Sequence, residues 1–88
     1  MSQELTDEDL AAMRTRVSSA TPGPWISYIE GRNMMSGSSF IQTRGEDIYL
    51  SGATEADQDF IASAREDIPR LLLEIERLRD LISATGKS

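Results

Sequence analysis

Few side chains in this chain can do chemistry, and their types set narrow limits. Among the 88 residues there is no histidine and no cysteine. That removes the usual general base near neutral pH, the thiolate nucleophile, and the imidazole and thiolate ligands of zinc. Serine and threonine hydroxyls are present, but a hydroxyl becomes a nucleophile only beside a base. The one lysine, Lys87, stands at the tail of the sequence. Carboxylates occur in close pairs, Asp57 with Asp59 and Glu46 with Asp47. Such pairs can cleave glycosides or hold a metal when they converge. On a helix, positions 57 and 59 point apart. Gly31, Gly37, Gly45 and Gly52 stand singly, in no phosphate-cradling pattern. No zinc, calcium-loop or dinucleotide motif is present. The expectation is a protein that binds rather than catalyses, with no metal and no cofactor.

The side chains suited to binding are arginines and one tryptophan. Eight of the nine cations are arginine. The guanidinium captures phosphate or carboxylate in a planar, bidentate way, although a GC-rich genome produces the same bias. Arg32, Arg44, Arg65 and Trp25 are the candidate ligand-binding residues. Trp25 follows Thr21-Pro22-Gly23-Pro24. The prolines hold the chain extended and Gly23 permits a bend, so the indole arrives at a fixed place. It either packs under Phe60 and Leu71 as the keystone of a small core, or forms the wall of a pocket and stacks on a base or sugar. Arg65 either pairs with Asp57, Asp59, Asp67 or a helix terminus, or presents its guanidinium to an anion.

Length and charge bound the rest. A chain of 88 residues is one domain, 1–88. Folding hides only about 60–65% of the unfolded surface at this size, so oligomerisation is an expected route to more core. The net charge of −6 argues against direct nucleic-acid binding, which demands clustered cations. An acidic surface promotes solubility, and it can also imitate nucleic acid. The start, Met-Ser-Gln-Glu-Leu, has no basic or apolar leader character, and no apolar run reaches the ~20 residues of a membrane helix. The expected location is the cytoplasm.

The elements that must position these residues read as an α+β fold. A helix is expected over about 6–20, with Thr6 as N-cap, Asp9 in capping-box position, and Leu5 and Leu10 as a hydrophobic staple. Leu10, Met13, Val17 and Ala20 form its apolar stripe. Residues of about 25–51 predict a three-stranded antiparallel β-meander, with strands near 25–29, 39–43 and 48–50. Met34 and Met35 fall in an exposed loop able to make adaptable contacts. Two C-terminal helices follow, over about 55–66 and 68–84, separated because Pro69 disfavours helical geometry at Ile68. Thr54 with Asp57 caps the first, and Gly86 and Lys87 end the second. The last helix is leucine-rich. Ile68, Leu71, Ile75, Leu78 and Ile82 are spaced 3-4-3-4, with Leu72 and Leu81 on the flanks. This seam either packs on the chain's own sheet or mediates self-association, with Leu71, Ile75, Leu78 and Ile82 as the candidate oligomer interface. Glu74 with Arg77, and Glu76 with Arg79, are spaced to pair on the exposed side.

Two segments carry a family resemblance. Ala20-Thr21-Pro22-Gly23-Pro24-Trp25 and Asp59-Phe60-Ile61-Ala62-Ser63-Ala64-Arg65-Glu66-Asp67-Ile68-Pro69-Arg70-Leu71-Leu72 resemble an Ead-like family of small phage and prophage proteins. That family pairs an ATPGPW element with a downstream FIAxAR…(I/V)PxLL element. The resemblance spans roughly 8–82, with the strand region alike in character more than in letters. It implies a phage or prophage accessory protein, and accessory proteins of that kind often counter host defence. Two functions then compete. One is sequestration of a phosphate-bearing nucleotide, such as a cyclic second messenger of host immunity, in pockets at the interfaces of a homo-oligomer. The other is a protein–protein inhibitor or adaptor acting on a host protein, including through an acidic DNA-mimicking surface. A purely structural homo-oligomer is a third reading, without specific support.

Overall fold

The computed structural model describes residues 4–33 and 37–85, in an α+β arrangement. Met34, Met35, Gly86 and Lys87, to which the sequence assigned a loop and a helix stop, lie outside the described residues.

Helix α1 spans Asp7–Ser19. The Thr6 hydroxyl accepts from the Asp9 amide at 3.0 Å, and the Asp9 carboxylate accepts from the Thr6 amide at 2.9 Å. Two amides that the first turn cannot satisfy are thereby paired. These bonds hold the Asp9 carboxyl below its ordinary range. Strands β1 (Ile26–Tyr28) and β2 (Phe40–Gln42) pair antiparallel, with Ser27 opposite Ile41 and Tyr28 opposite Phe40.

The expected third strand is reduced to one bridge. Ile41 and Ile48 exchange two backbone bonds of 2.8 Å, and the ladder stops there. The Thr43 hydroxyl accepts from the Gly45 amide and donates to the Glu46 carbonyl, which turns the chain tightly enough to present Ile48 alone. Tyr49 contributes through its side chain instead. Phe40 stacks on Tyr28 at 5.2 Å and meets Tyr49 at 5.8 Å, a cross-strand arrangement of rings that stabilises a short sheet.

The expected pair of C-terminal helices is one helix, α2, running Glu55–Thr85 without a break. It starts on a second reciprocal box, Asp57 amide to Thr54 hydroxyl at 3.0 Å and Thr54 amide to Asp57 carboxylate at 3.1 Å. Pro69 lies inside it. The proline has no N–H to give to the Arg65 carbonyl, and the helix forgoes that bond. Strong helix formers on both sides, and an apolar face that stays in phase across the proline, outweigh the local preference.

A small core joins these parts. Leu10, Ile29, Ile41, Ala62 and Leu72 are buried, with Ile41 0% exposed. The one buried polar side chain among the described residues is Gln58, 3% exposed. Its Nε2 faces Ser27 Oγ at 2.9 Å, the Phe40 carbonyl at 3.0 Å and the Tyr28 carbonyl at 3.1 Å. Two carbonyls at that spot demand the amide nitrogen there, so Gln58 rivets α2 to both strands.

Helix α1 runs antiparallel along α2. Arg14 pairs with Glu76, and Arg79 reaches Asp7 at 3.1 Å and the Leu5 carbonyl. The expected Glu76–Arg79 pair is thus replaced by contacts to α1, while Glu74–Arg77 forms as expected, with bonds of 3.0 and 2.6 Å. Those bonds hold the Glu74 carboxyl below its ordinary range and the Arg77 guanidinium above its own. The molecule is long, 61 × 28 × 19 Å, with a radius of gyration of 17.3 Å. A compact chain of this length would have about 12 Å. The excess is α2, about 46 Å of helix at 1.5 Å per residue.

Candidate functional site

The site is built around the elbow between α1 and β1. After the α1 cap at Ala20 the chain runs through Thr21-Pro22-Gly23-Pro24, with a cis Gly23–Pro24 peptide. Three side chains hold its carbonyls. Trp25 Nε1 donates to the Thr21 carbonyl at 3.0 Å, and Arg65 Nε donates to the same oxygen at 2.9 Å. Arg44 Nε donates to the Gly23 carbonyl at 2.7 Å. The segments 20–25 and 59–72 therefore meet through one carbonyl oxygen. Gly23 matters here for space rather than for backbone torsion. A methyl group at position 23 would sit 3.3 Å from both Arg65 Cγ and Glu66 Oε1.

Beside the elbow lies an open groove of about 630 Å³. Met13, Arg16, Val17 and Ala20 of α1 form one bank, and Trp25 closes the elbow end. The floor and far bank come from α2, through Phe60, Ile61, Ala64, Arg65, Ile68, Leu71, Leu72 and Ile75. The lining is almost wholly apolar, and the two cations stand at its margins. Phe60 is 74% exposed and Leu71 59%. Trp25 is half-buried. It does share a wall with Phe60 and Leu71, but that wall opens to solvent instead of closing into the expected core. A smaller notch of about 290 Å³, lined by Arg14, Pro69 and Leu73 among others, lies on the opposite side of α1.

The four candidate ligand-binding residues part company. Trp25 and Arg65 line the groove. Arg44 engages the elbow but is not part of the groove wall. Arg32 is held elsewhere, by two bonds of 2.8 and 3.1 Å to the Asp59 carboxylate. A tight turn delivers it: the Arg32 and Asn33 amides bond back to the Ile29 carbonyl, and Asn33 Oδ1 accepts from the Ile29 amide. The Arg32 guanidinium, aided by the Ser27 hydroxyl, holds the Asp59 carboxyl below its ordinary range, and the same contact holds Arg32 above its own. The expected carboxylate partners of Arg65 do not take it; the carbonyl just past the end of α1 does.

The candidate interface is the surface that continues the groove. Leu71 and Ile75 line it, and Leu71, Leu78 and Ile82 stand exposed along α2, Ile82 at 70%. The alternative that this seam packs on the chain's own sheet does not describe the fold, since residues 71, 78 and 82 face solvent. Arg16 and Ile61 also line the groove, beyond the binding residues that the sequence points to, while Phe60 is the expected neighbour of Trp25. Extending the 3-4 spacing backwards across Pro69 leads to Ile61.

Comparison with family models, with curated proteins and with solved structures finds no match for this chain. Among the described residues, no helix is long and apolar enough to cross a membrane.

Proposed function

We propose that the protein is a non-enzymatic accessory binding module, of phage or prophage origin as its two segments imply, and that its working surface receives an α-helix. One observation carries this reading. The apolar face of α2 lines the groove and then continues, exposed, to Ile82. A single long helix with a wide apolar stripe is stable in water only when something covers that stripe. Helix-in-groove docking reads such a surface through anchors three and four residues apart. The partner is polypeptide, whether a further copy of this chain or a host protein that it inhibits or adapts.

The test is photocrosslinking in the host cell from a benzoylphenylalanine placed at Leu71, with Arg70 as the neighbouring control. A discrete polypeptide adduct from position 71 and none from position 70 is expected. No adduct from position 71 would remove the reading.

A second reading has its own support. Trp25 and Arg65 meet at the elbow end of the groove, with Arg44 bound to the same elbow. Neither Arg44 nor Arg65 makes an ion pair among the described residues. An aromatic wall beside cations is a fit for a phosphate-bearing nucleotide, held by stacking and charge, and a groove of this volume lies in the usual range for small ligands. Sequestration of such a signal in the cytoplasm, as a counter-defence sponge, needs no catalytic group. A thermal-shift panel of linear and cyclic nucleotides tests it. Ligand at a hundredfold excess over its Kd adds about 2.7 kcal/mol of stability. A panel without any shift would end this reading.

A further inference from the structure

We infer that α2 pairs with α2 of a second copy as a parallel, in-register, two-stranded coiled coil. This rests on the reading of the groove as a helix-docking surface, and names what docks there.

Because Pro69 does not end the helix, the seam is longer than its C-terminal half. The 3-4 spacing runs unbroken from Ile61 to Ile82, three heptads and about 33 Å. Isoleucine occupies every a position, at 61, 68, 75 and 82, and leucine or alanine the d positions, at 64, 71 and 78. Isoleucine at a with leucine at d is the combination that favours two parallel strands.

Helix α1 covers one flank of the seam, where Leu72 is buried and Arg65 and Arg79 are half-buried. The other flank carries Phe60, Asp67, Glu74 and Leu81, all exposed. A second helix can therefore enter from the open flank and lie against α1 as well.

Charge sets the direction of the pair. In a parallel pair, the g position of one helix faces the next e position of the other. Glu74, which also holds Arg77, then faces the second copy's Arg79, which also holds Asp7. An antiparallel pair with Leu71 on the second copy's Ile75 places Glu74 against Glu74 and Arg65 against Arg79, which are like charges and destabilise. Arg16 supports the parallel choice. It stands on the groove bank between the Arg14–Glu76 and Thr21–Arg65 contacts and makes no ion pair among the described residues. The second copy's acidic flank, Asp67 and Glu74, passes at that level.

Because the chain has no cysteine, single introduced cysteines report one position each. Under mild oxidation, Leu78→Cys in the full chain is expected to form a disulfide-linked dimer, because in a parallel pair position 78 meets itself. Leu73→Cys, on the outer face, is expected to stay unlinked. If Leu78→Cys links only to Ile68→Cys in a mixture, the pairing is antiparallel and the proposed direction is wrong. Sedimentation equilibrium of the unmodified chain is expected to give a dimer that dissociates on dilution. A trimer or tetramer would overturn the two-stranded assignment, and a monomer at every concentration would overturn self-pairing altogether. In that last case a polypeptide adduct from Leu71 in the cell would still stand, as docking of a different protein. Ile75→Glu, at the centre of the seam, is expected to yield a monomer with its helical circular dichroism largely retained, which separates loss of pairing from loss of fold.

Discussion

At the scale of single residues, the polar groups of this chain act mainly as fasteners. Gln58 is the clearest, since its buried amide serves two strand carbonyls. Gln58→Ala leaves those acceptors unpaired, at a cost of about 1–3 kcal/mol. Urea denaturation should show the midpoint falling accordingly, and an unchanged midpoint would refute the rivet. Asp59 is a fastener that titrates. Its carboxyl lies below the ordinary 3.8 because Arg32 and Ser27 bond to its charged form. A lowered folded value means that the stabilisation is complete above the ordinary value and is lost as pH falls through the folded one. Asp59→Asn lacks this component. The stability gap between wild type and variant should therefore be widest above pH 3.8 and close as acid is added. A gap that widens in acid would contradict the Arg32–Asp59 contact.

At the scale of elements, α2 holds most of the protein's character, and Pro69 is its weak link. Pro69→Ala returns an N–H to the Arg65 carbonyl and removes the ring clash. A helix-interior proline costs about 3 kcal/mol relative to alanine. The variant should be more stable by a sizeable part of that, read as a higher urea midpoint; a lower one would mean that the proline ring's packing beside Val17 and Leu72 outweighs the lost bond. Both capping boxes were legible in sequence, because a cap is settled within four residues. Strands β1 and β2 were legible from their composition, and the helix of 7–19 from its periodicity. The third strand was not. Ile48-Tyr49-Leu50 has strand-forming residues, but whether it extends the ladder depends on how the Thr43–Glu46 turn aims it. The break at Pro69 was misread for a related reason. The preference of the residue before a proline is local, whereas the seam on both sides is a property of 22 residues. The arginine contacts lay beyond reach altogether. Arg32, Arg44 and Arg65 find partners 27, 21 and 44 positions away, and two of those partners are backbone carbonyls, which leave no mark in composition. Trp25, Arg65 and the C-terminal part of the seam were the legible portion of the site.

At the scale of the whole molecule, the outline is that of a rod with a small head. The two strands, the elbow and the base of α2 make the head, and α1 braces the rod up to Arg79. Beyond that contact residues 80–85 are all exposed. If the seam associates, stability depends on protein concentration, because only the folded chain is bound. The melting temperature should rise with concentration for the wild type and stay constant for Ile75→Glu. A wild type whose melting temperature ignores concentration would place the seam outside any self-contact. The antiparallel packing of α1 on α2 has a practical corollary. Leu5 and Asp7 lie beside Arg79, so the first and last described residues sit at one pole, and the hairpin, Trp25 and Arg44 sit at the other. A fluorophore or affinity handle attached at Leu5 or Thr85 would stand a helix length away from the elbow and leave that end clear for whatever it meets.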